Sequence, residues 1–164
     1  MTFGDWIGES VERVRTDGVT GARESAYEFY VGVCRNVGRR ANYGTSVFEE
    51  SWDVLLVLDA CRWDLMREVV SRYDFVDETT TYSVASSSEE WMDKTFGGVD
   101  TSNVGYVTAN PFSRQMLDAN DFLLLDEVWE YAIDEDIRTI PADAVTDRTI
   151  RASRERDPDR LIAH

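Results

Sequence analysis

The sequence predicts an α/β protein with a largely parallel sheet and flanking helices, preceded by a helical segment. Three observations predict this. Residues 54–58, VLLVL, form an unbroken apolar run closed by Asp59, and a helical pattern follows from Arg62. Such a run suits a strand buried on both faces of a parallel sheet. Beyond it, strand-like and helix-like patterns alternate to the last residue, the signature of βαβ units. The third observation is size: 164 residues, 43% of them hydrophobic, suit one packed domain.

Residues 1–46 read as a helical preface. Val11, Val14, Val19, Ala22, Ala26, Phe29, Tyr30 and Val33 recur near helical spacing, interrupted by Gly18 and Gly21. Arg35, Arg39 and Arg40 suit the carboxyl end of a helix, where cations oppose the dipole. Residues 47–164 form the α/β part. After a central strand over residues 53–58, residues 62–72 predict an amphipathic helix with Leu65, Met66, Val69 and Val70 on its apolar face. Phe75 and Val76 predict a short strand, and TTTYSV (79–84) another on its β-branched content. A helix opens near Ser86 and stops at Gly97-Gly98. Residues 104–108 predict a strand, and Asn110-Pro111 a turn. Residues 121–128 mix loop and short strand. Residues 142–156 predict a helix, ended by Asp157-Pro158, and residues 161–164 a final strand.

Charge restricts the partners. There are 32 acidic residues against 17 cations, a net charge of −15. Lys94 is the only lysine. This composition suits a protein adapted to a high-salt cytoplasm, where screening relieves self-repulsion; the alternative is an acidic mesophilic protein from a GC-rich genome. A surface this acidic repels nucleic acid and anionic membranes. No stretch reaches the ~18 apolar residues of a membrane span, and the first residues lack the apolar core of a secretory leader. Two cysteines, Cys34 and Cys61, make no disulfide framework. Cys61 reads as a small buried apolar residue.

Two places could carry chemistry. Ligands of open α/β sheets bind beyond the carboxyl ends of the strands, and Asp59 sits at such an end. It could hold a metal ion, or simply cap the following helix. Ser86, Ser87 and Ser88 sit between a predicted strand and a helix, where backbone N–H groups favour anions. One of them could be a nucleophile. Equally, Ser86 with Glu89 and Ser87 with Glu90 match the capping box. His164 is the only histidine, which argues against a Ser-His-Asp triad. The glycine-rich dinucleotide and nucleotide-phosphate loops are absent.

NYGTSVFEESWDVLLVLDACR, VASSSEEW and TANPFS together resemble haloarchaeal sulfatase-like proteins of the alkaline phosphatase superfamily. The resemblance runs from about Asn42 to His164. It implies a metal-dependent hydrolase or transferase of phosphate or sulfate esters. Asp59 matches a metal-ligating carboxylate, and Ser87 the nucleophile, with Ser86 and Ser88 as fallbacks. Ala85 stands where glycine is usual. Asp59 and Ser87 are then expected in one cleft, close enough to share an ion. The formylglycine signature of true sulfatases is missing. The implied cofactor is zinc, manganese, magnesium or calcium. The family's further ligands, an Asp-His pair and other histidines, would follow His164, so the chain reads as the N-terminal half of such a domain. Alone it is expected to be inactive, with a complementing C-terminal half or self-association as possible partners. Two other readings stay open: a non-enzymatic interaction module, and a small α/β domain of unrelated function in which both motifs are only caps.

Overall fold

The computed structural model describes residues 3–41, 43–59, 61–76 and 81–164. The chain forms two compact units, Met1–Asn42 and Tyr43–His164. The first is a pair of helices, α1 (Phe3–Asp17) and α2 (Val19–Arg40). Gly18, at φ 58, makes the tight link between them, a backbone state that glycine enters without steric penalty. Gly21 and Ser25 are buried, and a Cβ on Gly21 would lie 2.3 Å from the Arg13 carbonyl oxygen. The helices therefore approach through small residues, and Arg13 closes the contact by pairing with Glu28 at 2.5 Å.

The second unit is α/β. Its sheet has four parallel strands: β1 (Val54–Leu56), β2 (Val104–Thr108), β3 (Leu124–Glu127) and β4 (Arg160–Ala163). Their spatial order is β1-β4-β2-β3. Alternation along the strands feeds two cores. Tyr106 and Ile162 point into a cluster with Met92, Phe96 and Phe122. Val107 and Leu161 point the other way, against Val128 and Ala152. Helix α4 (Ser88–Phe96) supplies the first layer and α6 (Ala142–Arg156) the second. Helix α3 (Trp63–Val70) follows β1, and the single turn α5 (Ser113–Met116) follows β2. Asp157 stops α6 in the left-handed conformation at φ 47, ahead of Pro158, which could not continue it.

Several expectations need correction. The 54–58 run is neither a central strand nor buried on both faces. Only three of its residues are strand, and β1 lies at the sheet edge. Leu55 and Val57 pack on the Phe96 cluster, but Val54, Leu56 and Leu58 are each about half exposed. The physical reason is coverage: α6 packs over β2, β3 and β4, and its layer stops short of β1. Phe75 and Val76 lie in a turn and its exit, not a strand. Residues 81–84 form no strand either, and Thr79 and Thr80 fall outside the described residues. Cys61 is exposed in the β1–α3 connection. The helices over 63–70, 88–96 and 142–156 and the strands over 104–108, 124–127 and 160–163 agree closely with the sequence pattern.

Candidate functional site

Three neighbouring strands deliver polar groups to one end of the sheet. Asp59 follows β1, His164 follows β4, and Asn110 follows β2 by two residues. The amino end of α4 brings Ser88 to the same place. Asp59 Oδ2 is their common focus. The Ser88 hydroxyl donates to it at 2.9 Å. The Asn110 amide donates at 3.4 Å, and His164 Nε2 lies 3.7 Å away. The Asp59 side chain is still 57% exposed, so solutes can reach it.

Asp59 is not the cap of α3. That position is Arg62, which makes no capping hydrogen bond. Ser87, in contrast, is the cap of α4: its hydroxyl accepts from the Glu90 N–H at 3.4 Å. Ser88, one residue on, turns its hydroxyl to Asp59. Adjacent serines thus do two jobs, one closing the helix end and one facing the carboxylate.

Each partner of Asp59 is itself held. Asn110 has its amide oriented by the chain: Oδ1 accepts from the Phe112 N–H at 3.0 Å, which leaves the Nδ2 hydrogens for Asp59. The loop after Asn110 is anchored below by Ser113, fully buried, whose hydroxyl bonds Glu127 at 2.6 Å and accepts from the Trp129 indole at 3.1 Å. His164 is packed between Trp91 and Tyr106, edge-on to the first and stacked on the second. The Tyr106 hydroxyl meets His164 Nδ1 at 2.6 Å. Burial pushes the Tyr106 hydroxyl well above its ordinary value, so it keeps a proton that it can donate to Nδ1. A neutral ring accepting at Nδ1 carries its proton on Nε2, toward Asp59.

Burial also pulls the His164 imidazole below its ordinary value, against a weaker upward pull from the Asp59 charge. The unfolded chain then binds a proton more readily than the folded one. Stability from this group is fully present above about pH 6.5 and declines as pH falls through it. The ring is the sole histidine, so its Cε1 proton can be followed alone by NMR. Its midpoint should fall below that of a free histidine. A midpoint at or above it would show that Asp59, not burial, governs the ring.

No protein-family model matches this chain, and neither does any curated protein or solved structure. The site therefore rests on its own geometry. Tyr106 and the contact of His164 with Asp59 were not anticipated from sequence. Yet a usable signal existed, because VGYVTAN and RLIAH are apolar strand runs ending in polar groups, the same pattern that singled out Asp59.

Asp59 and His164 are the carboxylate and imidazole of the cluster that could ligate a cation. Among the described residues, no three His, Cys, Asp or Glu side chains gather to hold a metal. A zinc site takes three or four protein ligands. These residues alone do not fit a complete catalytic metal centre.

Proposed function

We propose that residues 43–164 carry the nucleophile side of a phosphate- or sulfate-ester hydrolase or transferase, of the alkaline phosphatase superfamily type. The observation behind this reading is the convergence of the Ser88 hydroxyl, the Asn110 amide and His164 on Asp59, beyond the carboxyl ends of three adjacent parallel strands. In this reading Ser88, or its neighbour Ser87, attacks the phosphorus or sulfur centre. The new Oγ–P or Oγ–S bond forms as the bond to the ester oxygen breaks, and Asp59 takes the serine proton. Asn110 and the amino end of α4 supply donors for the anionic oxygens. Ser88 is favoured by its contact with Asp59, whereas Ser87 is the position matched by the family pattern.

The two-ligand set has a consequence for activity. With zinc, manganese, magnesium or calcium present, the chain alone should not turn over aryl phosphate or aryl sulfate esters. A complementing polypeptide that brings further ligands should restore turnover, and Ser88→Ala should remove it. Metal-dependent turnover by the chain alone would show that the ligand set is larger than the one described. Cation binding can be tested without catalysis. Paramagnetic manganese should broaden the His164 Cε1 resonance in the wild type and leave it sharp in Asp59→Ala. If manganese leaves the wild-type signal sharp, Asp59 and His164 do not share a cation.

A second reading has one observation in its favour. Among the described residues β1 ends the sheet, and Val54, Leu56 and Leu58 on it and just beyond it are exposed; an end strand is the feature by which sheets pair with other chains. An interaction module would use that edge and leave the Asp59 cluster without chemistry. Its signature would be self-association that Leu56→Lys abolishes while manganese broadening is absent.

A further inference from the structure

The Asp59 cluster offers an oxyanion hydrogen-bond donors but no fixed positive charge. It consists of the Asp59 carboxylate, the Ser88 hydroxyl, the Asn110 amide and the His164 ring. Its surroundings are more negative still. Residues 1–42 hold six acidic residues and six arginines and are neutral, so residues 43–164 carry the whole charge of −15. A phosphate or sulfate group approaching Asp59 is repelled locally and by the unit as a whole. A cation at this end of the sheet would reverse the local balance.

The topology narrows which side chain can supply it. The four arginines from residue 151 to residue 160 lie on the last turns of α6 and the start of β4, at the opposite end of the strands. Arg148 is held by Asp126, and Lys94 by Glu90 and the Val84 carbonyl. Arg138 is on the connection from β3, the strand at the other edge of the sheet. Arg67 and Arg72 follow Asp59 by eight and thirteen positions. Two arginines remain on the connections that leave β1 and β2 beside the cluster, Arg62 and Arg114. Arg114 lies over the Trp129 ring, 4.8 Å from its centroid, and pairs with Glu130. The Arg62 side chain is 75% exposed.

Arg62 is three residues past Asp59, and three residues span at most about 11 Å when extended. Here they are not extended: the Cys61 N–H bonds the Leu58 carbonyl, so the chain turns directly after β1. The cluster is therefore within reach of the Arg62 side chain. Its guanidinium already holds an oxyanion. Nε donates to Asp64 Oδ1 at 3.0 Å and a terminal nitrogen donates to Oδ2 at 2.6 Å. A guanidinium takes two oxygens of a phosphate or sulfate in the same paired geometry. Asp64 is itself 58% exposed, and exposed pairs contribute little, so exchanging one oxyanion for another costs little. We propose that Arg62 binds the phosphoryl or sulfuryl oxyanion of the substrate, exchanging the Asp64 carboxylate for two of its oxygens. The proposal rests on the hydrolase reading given above. Asp64 then keeps the guanidinium paired until substrate arrives.

The test is a titration of the full chain, labelled with nitrogen-15, with inorganic phosphate against potassium chloride of equal ionic strength. Phosphate should shift the backbone amides of Ser88 and Asn110 saturably, and chloride should not. Arg62→Gln should weaken binding by about tenfold or more, the loss expected for a paired, charge-assisted contact. Arg62→Lys, which keeps the charge without the planar fork, should fall between. Asp64→Asn should tighten binding by roughly two- to fivefold, because it frees the guanidinium. Arg114→Gln should leave binding unchanged. The three side chains are exposed, and unchanged circular dichroism will show that the variants fold. Shifts at Ser88 and Asn110 with the same affinity in Arg62→Gln would overturn the role of Arg62 and leave the hydrolase reading standing. Absence of any shift in the wild type would remove that reading, and this inference with it. Weaker binding in Asp64→Asn would overturn the exchange. Weakening by Arg114→Gln in place of Arg62→Gln would give the charge to the other arginine and likewise overturn the proposal.

Discussion

The thermal midpoint of the second unit should rise by about 10 °C or more between dilute buffer and molar potassium chloride, the shift that relief of ~2–3 kcal/mol gives a domain of this size. The cause is like-charge repulsion in the folded state. Residues 43–164 carry all of the −15, and few cations stand among the carboxylates to offset it. The ion pairs that do form are mostly exposed, such as Arg62–Asp64 and Arg151–Glu155, and exposed pairs contribute little. Added salt shortens the Debye length from roughly 30 Å at 0.01 M to roughly 3 Å at 1 M. Calorimetry across that range is the measurement. Most of the gain should come below 1 M, where screening changes fastest. A flat response would mean that the carboxylates lie too far apart to repel, and would remove the basis for a high-salt cytoplasmic setting.

Tyr106→Ala should destabilise the second unit by about 3–5 kcal/mol, the cost typical of emptying a buried aromatic site. Tyr106 is fully buried on β2 and meets three other rings: Phe96, Phe122 and His164. With total stabilities of roughly 5–15 kcal/mol, that loss would unfold much of the population near the midpoint conditions. Tyr106→Phe isolates the hydroxyl. It keeps the ring but strips His164 Nδ1 of its donor, so it should cost about 1–3 kcal/mol. It should also shift the imidazole nitrogen resonances, because Nδ1 loses its hydrogen-bond partner. Urea denaturation of the two variants, with nitrogen NMR of the phenylalanine variant, separates packing from hydrogen bonding. A phenylalanine variant as damaged as the alanine one would show that the polar link, not the ring, holds this part of the core.

How much could be read beforehand depended on whether a property was local. Helix α6 was legible, and Asp157-Pro158 marked its end, because such stop signals act within a few residues. The strand at 104–108 was legible because its apolar residues stand between loop residues. Asp59 was marked as a site by its place after an apolar run, and its neighbours at that end now give the mark a geometry. The position of β1 in the sheet was not legible. VLLVL has the composition of a strand covered on both faces, but coverage depends on where α6 ends, and residues 54–58 carry no trace of that. The same holds for the link between Tyr106 and His164, which lie 58 positions apart. The serines show the limit at the shortest range. Ser86, Ser87 and Ser88 are chemically identical, and only the helix start at Ser88 decides which hydroxyl caps and which faces Asp59.

The pairing of β1 sets the order in which this sheet can assemble. β2 and β3 pair across roughly twenty residues, whereas Val54 meets Leu161 across roughly a hundred. Closing the longer loop costs more chain entropy, and pairings of such separation form late. During synthesis at about 5–20 residues per second, VLLVL leaves the ribosome roughly 5–20 seconds before its strand neighbour β4 exists. For that interval an apolar segment of strong β-propensity waits unpaired, with Asp53 and Asp59 as the charges that flank it.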